Sequence, residues 1–178
     1  MCGVRLFVAV LPPPEAVDHL REAIDGLHVV RAGVLEPPER WHLTLVFLGE
    51  VSEPVFGRLA AAAGDARSGP LALAGAGRFG ERVLWAGVAG DVGALAHNAE
   101  VLRRHLGVEA EPRPYQPHLT LARPRARITR DELREDVDRL RTYRGPTWAA
   151  DRYHLMSSTT GAQGVRYESL DSWVVHQA

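Results

Sequence analysis

Two identical tetrapeptides, His42-Leu43-Thr44-Leu45 and His118-Leu119-Thr120-Leu121, hold the side chains best suited to chemistry in this sequence. Both lie in apolar, strand-like surroundings. In an extended strand, residues i and i+2 share a face. Each copy therefore sets an imidazole beside a hydroxyl and turns its leucines to the other side. Histidine, with an ordinary pKa of about 6.5, gives or takes a proton near neutrality. A threonine hydroxyl donates to anionic oxygen. Two such pairs facing one another across a groove supply a base, an acid and two neutral donors. Hydrolysis of a phosphodiester needs that set: one group deprotonates water and another protonates the departing sugar oxygen. The recurrence carries the reading. One His-x-Thr alone is explained by β propensity and a histidine satisfied by a backbone carbonyl.

The flanking sequence predicts the elements that hold these motifs. Arg5 to Val10 reads as a first strand, stopped by Pro12-Pro13-Pro14. Val17, Leu20, Ile24 and Leu27 mark the apolar face of a first helix. The first motif strand runs from Trp41 to Leu48, and Ser52 with Pro54 opens a helix through Leu59 and Ala63. Leu71 to Val88 predicts two strands joined near Phe79-Gly80-Glu81. Asp91 starts the longest helix, with Val92, Leu95, Ala99, Leu102 and Leu106 on one face and Gly107 at its end. A loop from Glu111 to Pro117 precedes the second motif strand, and Thr129-Arg130-Asp131-Glu132 is a capping-box pattern for the last helix. Strands around Trp148, Tyr153 to Ser157 and Tyr167 to Val175 close the sequence. In both halves a motif strand is followed by a turn, a helix and more strands. The order predicts a duplication that gives two similar lobes with a groove between them.

Composition bounds the function. The 178 residues suffice for one well-buried domain. A net charge of −1 gives no global electrostatic drive toward nucleic acid, so any contact with RNA must be local. All 21 basic residues are arginines, each a planar, permanently charged fork able to grip phosphate. One cysteine, Cys2, excludes an internal disulfide framework and a cysteine-based zinc site. Arg5 to Val10 is too short to span a bilayer, and the expectation is a cytoplasmic protein with no membrane partner.

Two His-x-Thr-x motifs on strands at this separation resemble the 2H phosphoesterase superfamily. The likeness extends to the RNA 2′,3′-cyclic phosphodiesterases, also called 2′-5′ RNA ligases (the LigT/ThpR type). It rests on Arg5-Leu6-Phe7-Val8-Ala9-Val10 with its prolines, on Trp41 to Glu50, on Arg82-Val-Leu-Trp85 and on Tyr115 to Arg123. Leu155-Met-Ser-Ser and Gly164-Val-Arg-Tyr167 fit as well, so the likeness covers essentially all of residues 1–178. The resemblance implies an α+β fold of one domain: a bilobed, duplicated arrangement of two antiparallel sheets flanked by helices, with a central cleft. It further implies hydrolysis of a terminal 2′,3′-cyclic phosphate to a 2′-phosphate, with reversible 2′-5′ ligation as a further activity. His42 and His118 would be catalytic, with no metal and no cofactor. The two copies are nearly symmetric; the reading leans to His118 as the base that activates water and to His42 as the acid for the leaving O3′.

Thr44 and Thr120 are then expected to donate to phosphate oxygens, joined by Arg123, where this family keeps a basic residue. Odd–even alternation places Arg123 on the side opposite His118, so it reaches the cleft only if the strand ends or twists. Arg125 and Arg127 form a candidate basic rim. Tyr115 and Trp41 are candidate platforms for base stacking. His154 is a candidate support for the cleft, while His19, His28, His97, His105 and His176 are read as structural or surface residues. Substrates would be RNA ends or small nucleotides carrying a 2′,3′-cyclic phosphate, and the protein a monomer. Two competing readings are a catalytically silent nucleotide-binding module, which needs no matched acid and base, and a metalloenzyme. The second lacks an acidic or cysteine ligand in either motif.

Overall fold

The computed structural model describes residues 4–51, 55–162 and 164–176, so Cys2, Ser52 and Pro54 lie outside the described residues. Strand β1 (Arg5–Val10) leads to α1 (Pro14–Ile24), which opens on a proline, where the missing N–H has no helical partner to lose. A short helix α2 (His28–Arg31) and a 3-10 turn at Pro38–Arg40 lead into β2 (Leu43–Gly49). Then come α3 (Phe56–Asp65), the hairpin of β3 (Gly69–Phe79) and β4 (Val83–Gly90), α4 (Val92–Leu106) and β5 (Leu119–Ala122). Helix α5 (Arg130–Leu140) precedes β6 (Trp148–Ala150), β7 (Arg152–Gly161) and β8 (Gly164–Val174). Asp91 caps α4 by accepting from the Ala94 N–H at 2.9 Å, and Gly107 ends that helix in the left-handed region at φ 67°. Thr129 and Glu132 form the reciprocal capping box of α5.

The strands make one antiparallel sheet in the order β6-β3-β4-β5-β2-β1-β7-β8. The expected pair of separate sheets is therefore corrected: β2 and β5 join the halves at the partners Leu43 and Leu119. Among the described residues their pairing is confined to that position, and each strand then finds another neighbour. The Glu36 N–H donates to the Leu121 carbonyl at 2.7 Å, and Leu35 bridges Ala122. On the other side, the Tyr115 hydroxyl donates to the Thr44 carbonyl at 2.9 Å. The sheet thus splits open beside the motifs while staying continuous at one point. Its halves are also not the sequence halves. β1 pairs with both β2 and β7, which carries the C-terminal hairpin β7–β8 back to the first motif.

Helices cover one face of this sheet. Leu20 and Ile24 of α1, Leu59 of α3, Leu95 and Leu102 of α4, and Leu133 and Leu140 of α5 share a buried cluster with Leu43, Leu45, Leu119 and Leu121. Asp136 of α5 is wholly buried and accepts from the His28 and Val29 N–H groups at 2.9 and 3.0 Å and from the His28 ring at 2.8 Å. It therefore caps α2 and ties it to α5. The opposite face carries a smaller cluster of Phe7, Ala9 and Met156, with Leu11 and Tyr167 packed on it. Among the described residues no helix is long and apolar enough to cross a membrane.

Candidate active site

Both strands begin one residue later than the histidines, at Leu43 and Leu119, so the first motif strand starts at Leu43 and not at Trp41. Each histidine stands at its strand's entrance. With Leu43 paired to Leu119 across antiparallel strands, one step along the chains leads to His42 and Thr120 on one side of that pair and to Thr44 and His118 on the other. Because the leucines face the helices, the four polar side chains form a square on the open face.

The two imidazoles are held alike. His42 Nδ1 lies 2.6 Å from the Arg40 carbonyl, and His118 Nδ1 lies 2.8 Å from the Gln116 carbonyl. A carbonyl oxygen only accepts, so each Nδ1 carries the proton and donates it to the residue two positions back. Both Nε2 atoms are left for chemistry. The hydroxyls of Thr44 and Thr120 have no hydrogen-bond partner among the described residues.

Their surroundings differ. Phe7 packs 4.9 Å from the His42 ring, and Tyr167 meets it edge-on at 5.3 Å. Burial accordingly holds the His42 pKa below the usual imidazole value of 6.5. The bond to the Arg40 carbonyl works against this shift, the charges of His118 and Arg123 add to it, and Glu36 opposes it. His118 meets Phe79 edge-on at 4.9 Å, with Trp85 at 6.1 Å. Gly77 makes this arrangement possible: a Cβ there would stand 2.2 Å from the Trp85 ring. His118 also opens onto a cavity of about 1000 Å³ that includes Thr44, Phe47, Phe79, Arg103 and Tyr115 in its walls.

Other residues singled out in the sequence fall in different places. Trp41 is corrected: it is 3 % exposed in the core, and its indole N–H donates to the Glu36 carbonyl at 2.9 Å, which leaves no face for a base. Tyr115 keeps its ring in the cavity wall, but burial pushes its phenol far above the usual value and its hydroxyl is spent on Thr44. Arg123 lies just beyond β5, with its Nε 3.4 Å from Glu36. It is near enough to His42 to depress that imidazole's pKa. Arg125 and Arg127 are exposed in the following turn. His154 bonds Ser169 at 3.1 Å, two strands from Thr44 along the row Thr44–Ala9–His154. His19, His28, His97 and His105 are bonded to Tyr143, Asp136 and Asp65, away from the square.

Sequence reasoning missed Phe47, Phe79, Tyr167 and Glu36. Phe47 is 64 % exposed and Phe79 40 % exposed, both in the cavity wall. Strict alternation puts Phe47 on the core face with Leu43 and Leu45; the register shift between Val46 and Thr44 turns it opposite Phe7, and no local pattern predicts that shift. The apolar neighbours of Phe47, Val46 and Leu48, hide that in the sequence.

Comparison with known proteins places this geometry in a family. The chain is 37% identical over 95 residues to an RNA 2′,3′-cyclic phosphodiesterase of Geobacillus stearothermophilus, a match covering 48% of this chain and 30% of that protein. The chain thus spans less than a third of that relative's length. It is 28% identical over 179 residues to the RNA 2′,3′-cyclic phosphodiesterase of Methanothermobacter thermautotrophicus, covering 94% of this chain and 97% of that protein. The crystal structure of E. coli LigT complexed with 3′-AMP superimposes with a TM-score of 0.73 at 27% identity, over 98% of this chain and 99% of that one. The model of the 2′-5′ RNA ligase superfamily matches residues 12–162, and with the paired His-x-Thr strands at its centre this chain belongs to that superfamily.

Proposed function

We propose that this chain is a hydrolase that opens the terminal 2′,3′-cyclic phosphate of RNA to a 2′-phosphate, with both histidines catalytic and no metal or cofactor. The observation that carries this reading is the cross-strand square: two imidazoles with free Nε2 atoms, each opposite a threonine of the other strand. Residues 1–178 act as one domain of two pseudo-symmetric lobes, and as a monomer. The names of the curated relatives support RNA as substrate.

The geometry performs the reaction as follows. Thr44 and Thr120 donate to the non-bridging oxygens and hold the phosphorus between the two strands. His42, kept neutral by burial, takes a proton from water at Nε2 as that water attacks phosphorus. The P–O3′ bond breaks on the far side, and His118 protonates O3′ from its Nε2. This reverses the sequence expectation: His42, whose pKa is held below 6.5, takes the base role, and His118, facing the cavity, takes the acid role. Arg123 adds positive charge beside the site, and the cavity in front of His118 takes the nucleoside. Phe47 and Phe79, not Trp41, offer faces for stacking. The same cavity admits a small nucleotide carrying a cyclic phosphate.

The test is the product formed from a short RNA ending in a 2′,3′-cyclic phosphate, with EDTA present. A 2′-phosphate is expected; an intact cyclic end or a 3′-phosphate would overturn the reading. A substrate with sulfur at the 3′ leaving position needs no acid. It should rescue His118→Ala and leave His42→Ala inactive.

A further inference from the structure

A second depression, of about 450 Å³, lies at the exit of β5, between the β3–β4 turn and the segment that follows the second motif. Four arginines line it: Arg82, Arg123, Arg125 and Arg130, with Glu81 as the acidic group in the wall. Arg130 is paired with Glu81, and Arg123 lies 3.4 Å from Glu36. Arg82 and Arg125 have no ionic partner among the described residues. In a chain of net charge −1, four arginines around one depression are a local concentration that the overall composition does not predict.

The backbone supports the same place. Arg125 and Ala126 both adopt positive φ, 47° and 62°, which side-chain-bearing residues rarely do in succession. The Arg127 N–H closes the turn on the Pro124 carbonyl at 2.9 Å. Strain of this kind collects where a loop must hold a group in a fixed position for a ligand. Leu84 pairs with Ala122, which sets the β3–β4 turn beside Arg123, and Phe79 at the start of that turn packs on His118. Phe79, whose ring packs on His118, thus stands just ahead of the turn that supplies Glu81 and Arg82 to the depression.

We propose that this depression is a backbone-phosphate subsite for the RNA strand leading up to the cyclic end, with Arg82 and Arg125 as its phosphate-gripping residues. The inference rests on the reading of the square as a cyclic phosphodiesterase site. The arginines are exposed, so what they supply is screened, salt-dependent attraction of a polyanion and not burial of one small ion. Arginine forks suit phosphate oxygens irrespective of base, and the subsite therefore selects for length over sequence.

The experiment compares wild type with the double variant Arg82→Gln/Arg125→Gln on two substrates: a 2′,3′-cyclic mononucleotide, and a single-stranded RNA of about ten nucleotides with a 2′,3′-cyclic end. The mononucleotide does not reach the depression, and its kcat/KM should be unchanged. On the oligonucleotide the variant should lose about tenfold at low salt, and its log–log salt slope should shrink by about 0.7 for each phosphate contact removed. Equal loss on both substrates, or no loss on the oligonucleotide, would overturn the subsite. Fluorescence anisotropy of a labelled single-stranded RNA separates this failure from failure of the catalytic reading. If wild type hydrolyses neither substrate but binds RNA more tightly than the variant, the subsite stands and the catalytic assignment falls. Equal binding by the two proteins removes the subsite.

Discussion

The two motif strands share the tetrapeptide His-Leu-Thr-Leu and begin at the same point in it, but they differ in length and in what surrounds them. Each histidine enters a strand, ties its Nδ1–H to the carbonyl two residues earlier and stands opposite a threonine of the other strand. Around His42 the sheet supplies Phe7 and Tyr167, with Glu36 and Arg123 within electrostatic reach. His118 has Phe79 and Trp85 on one side and an open cavity on the other. A duplicated motif supplies two equivalent imidazoles; acid–base catalysis needs two inequivalent ones. Desolvation supplies one inequivalence, because it penalises the charged form of His42, while His118 faces a cavity.

The widest break in the comparison is removal of either ring. His42→Ala and His118→Ala should each lower kcat/KM by about 10²–10⁴-fold, the usual contribution of a positioned acid or base. The double variant should be little worse than the weaker single one, since the groups act as a unit. A variant that kept most of its activity would reduce the site to one working histidine and leave the other as strand structure.

A narrower probe takes the donors and leaves the rings. Thr44→Val and Thr120→Val keep the shape and suit a strand at least as well, so Tm should hold. Each should lose about 1.5–3 kcal/mol of transition-state stabilisation, read as a fall in kcat/KM. Full activity in both variants would mean that the threonines are present for strand propensity and that arginine holds the phosphate. Unequal losses would show towards which strand the phosphate leans.

Much of this was legible in the sequence because periodicity and capping are local. The alternation of His42 and Thr44 against Leu43 and Leu45 predicts which side faces the core, and Asp91, Gly107 and Thr129 mark helix ends through hydrogen bonds spanning a few residues. What stayed hidden depends on partners far along the chain. That β1 recruits β7, and that among the described residues β2 meets β5 only at Leu43 and Leu119, are pairings no local pattern encodes. The same holds for Trp41, which reads as an aromatic beside a catalytic motif until its burial against Glu36 is seen. Phe47 and Phe79 erred in the opposite direction: an apolar residue in a strand looks like core unless the strand's two faces are known to differ.

The finest test of the comparison is the pH profile. If His42 is the base, kcat/KM falls on the acid side as His42 takes up a proton, and burial puts that limb below the ordinary imidazole value of 6.5. The alkaline limb then reports the group acting as acid. Tyr167→Ala removes the ring that meets His42 edge-on and admits water to it, so the His42 pKa should rise toward 6.5. The sign follows: the acid limb moves up, activity below pH 6.5 drops by up to about tenfold for one pKa unit, and the alkaline limb stays where it was. An NMR titration of the His42 ring measures the same shift directly and separates it from any loss of packing. Should Tyr167→Ala instead move the alkaline limb upward and leave the acid limb in place, His42 would be giving up a proton during turnover. His42 would then be the acid, and His118 the base.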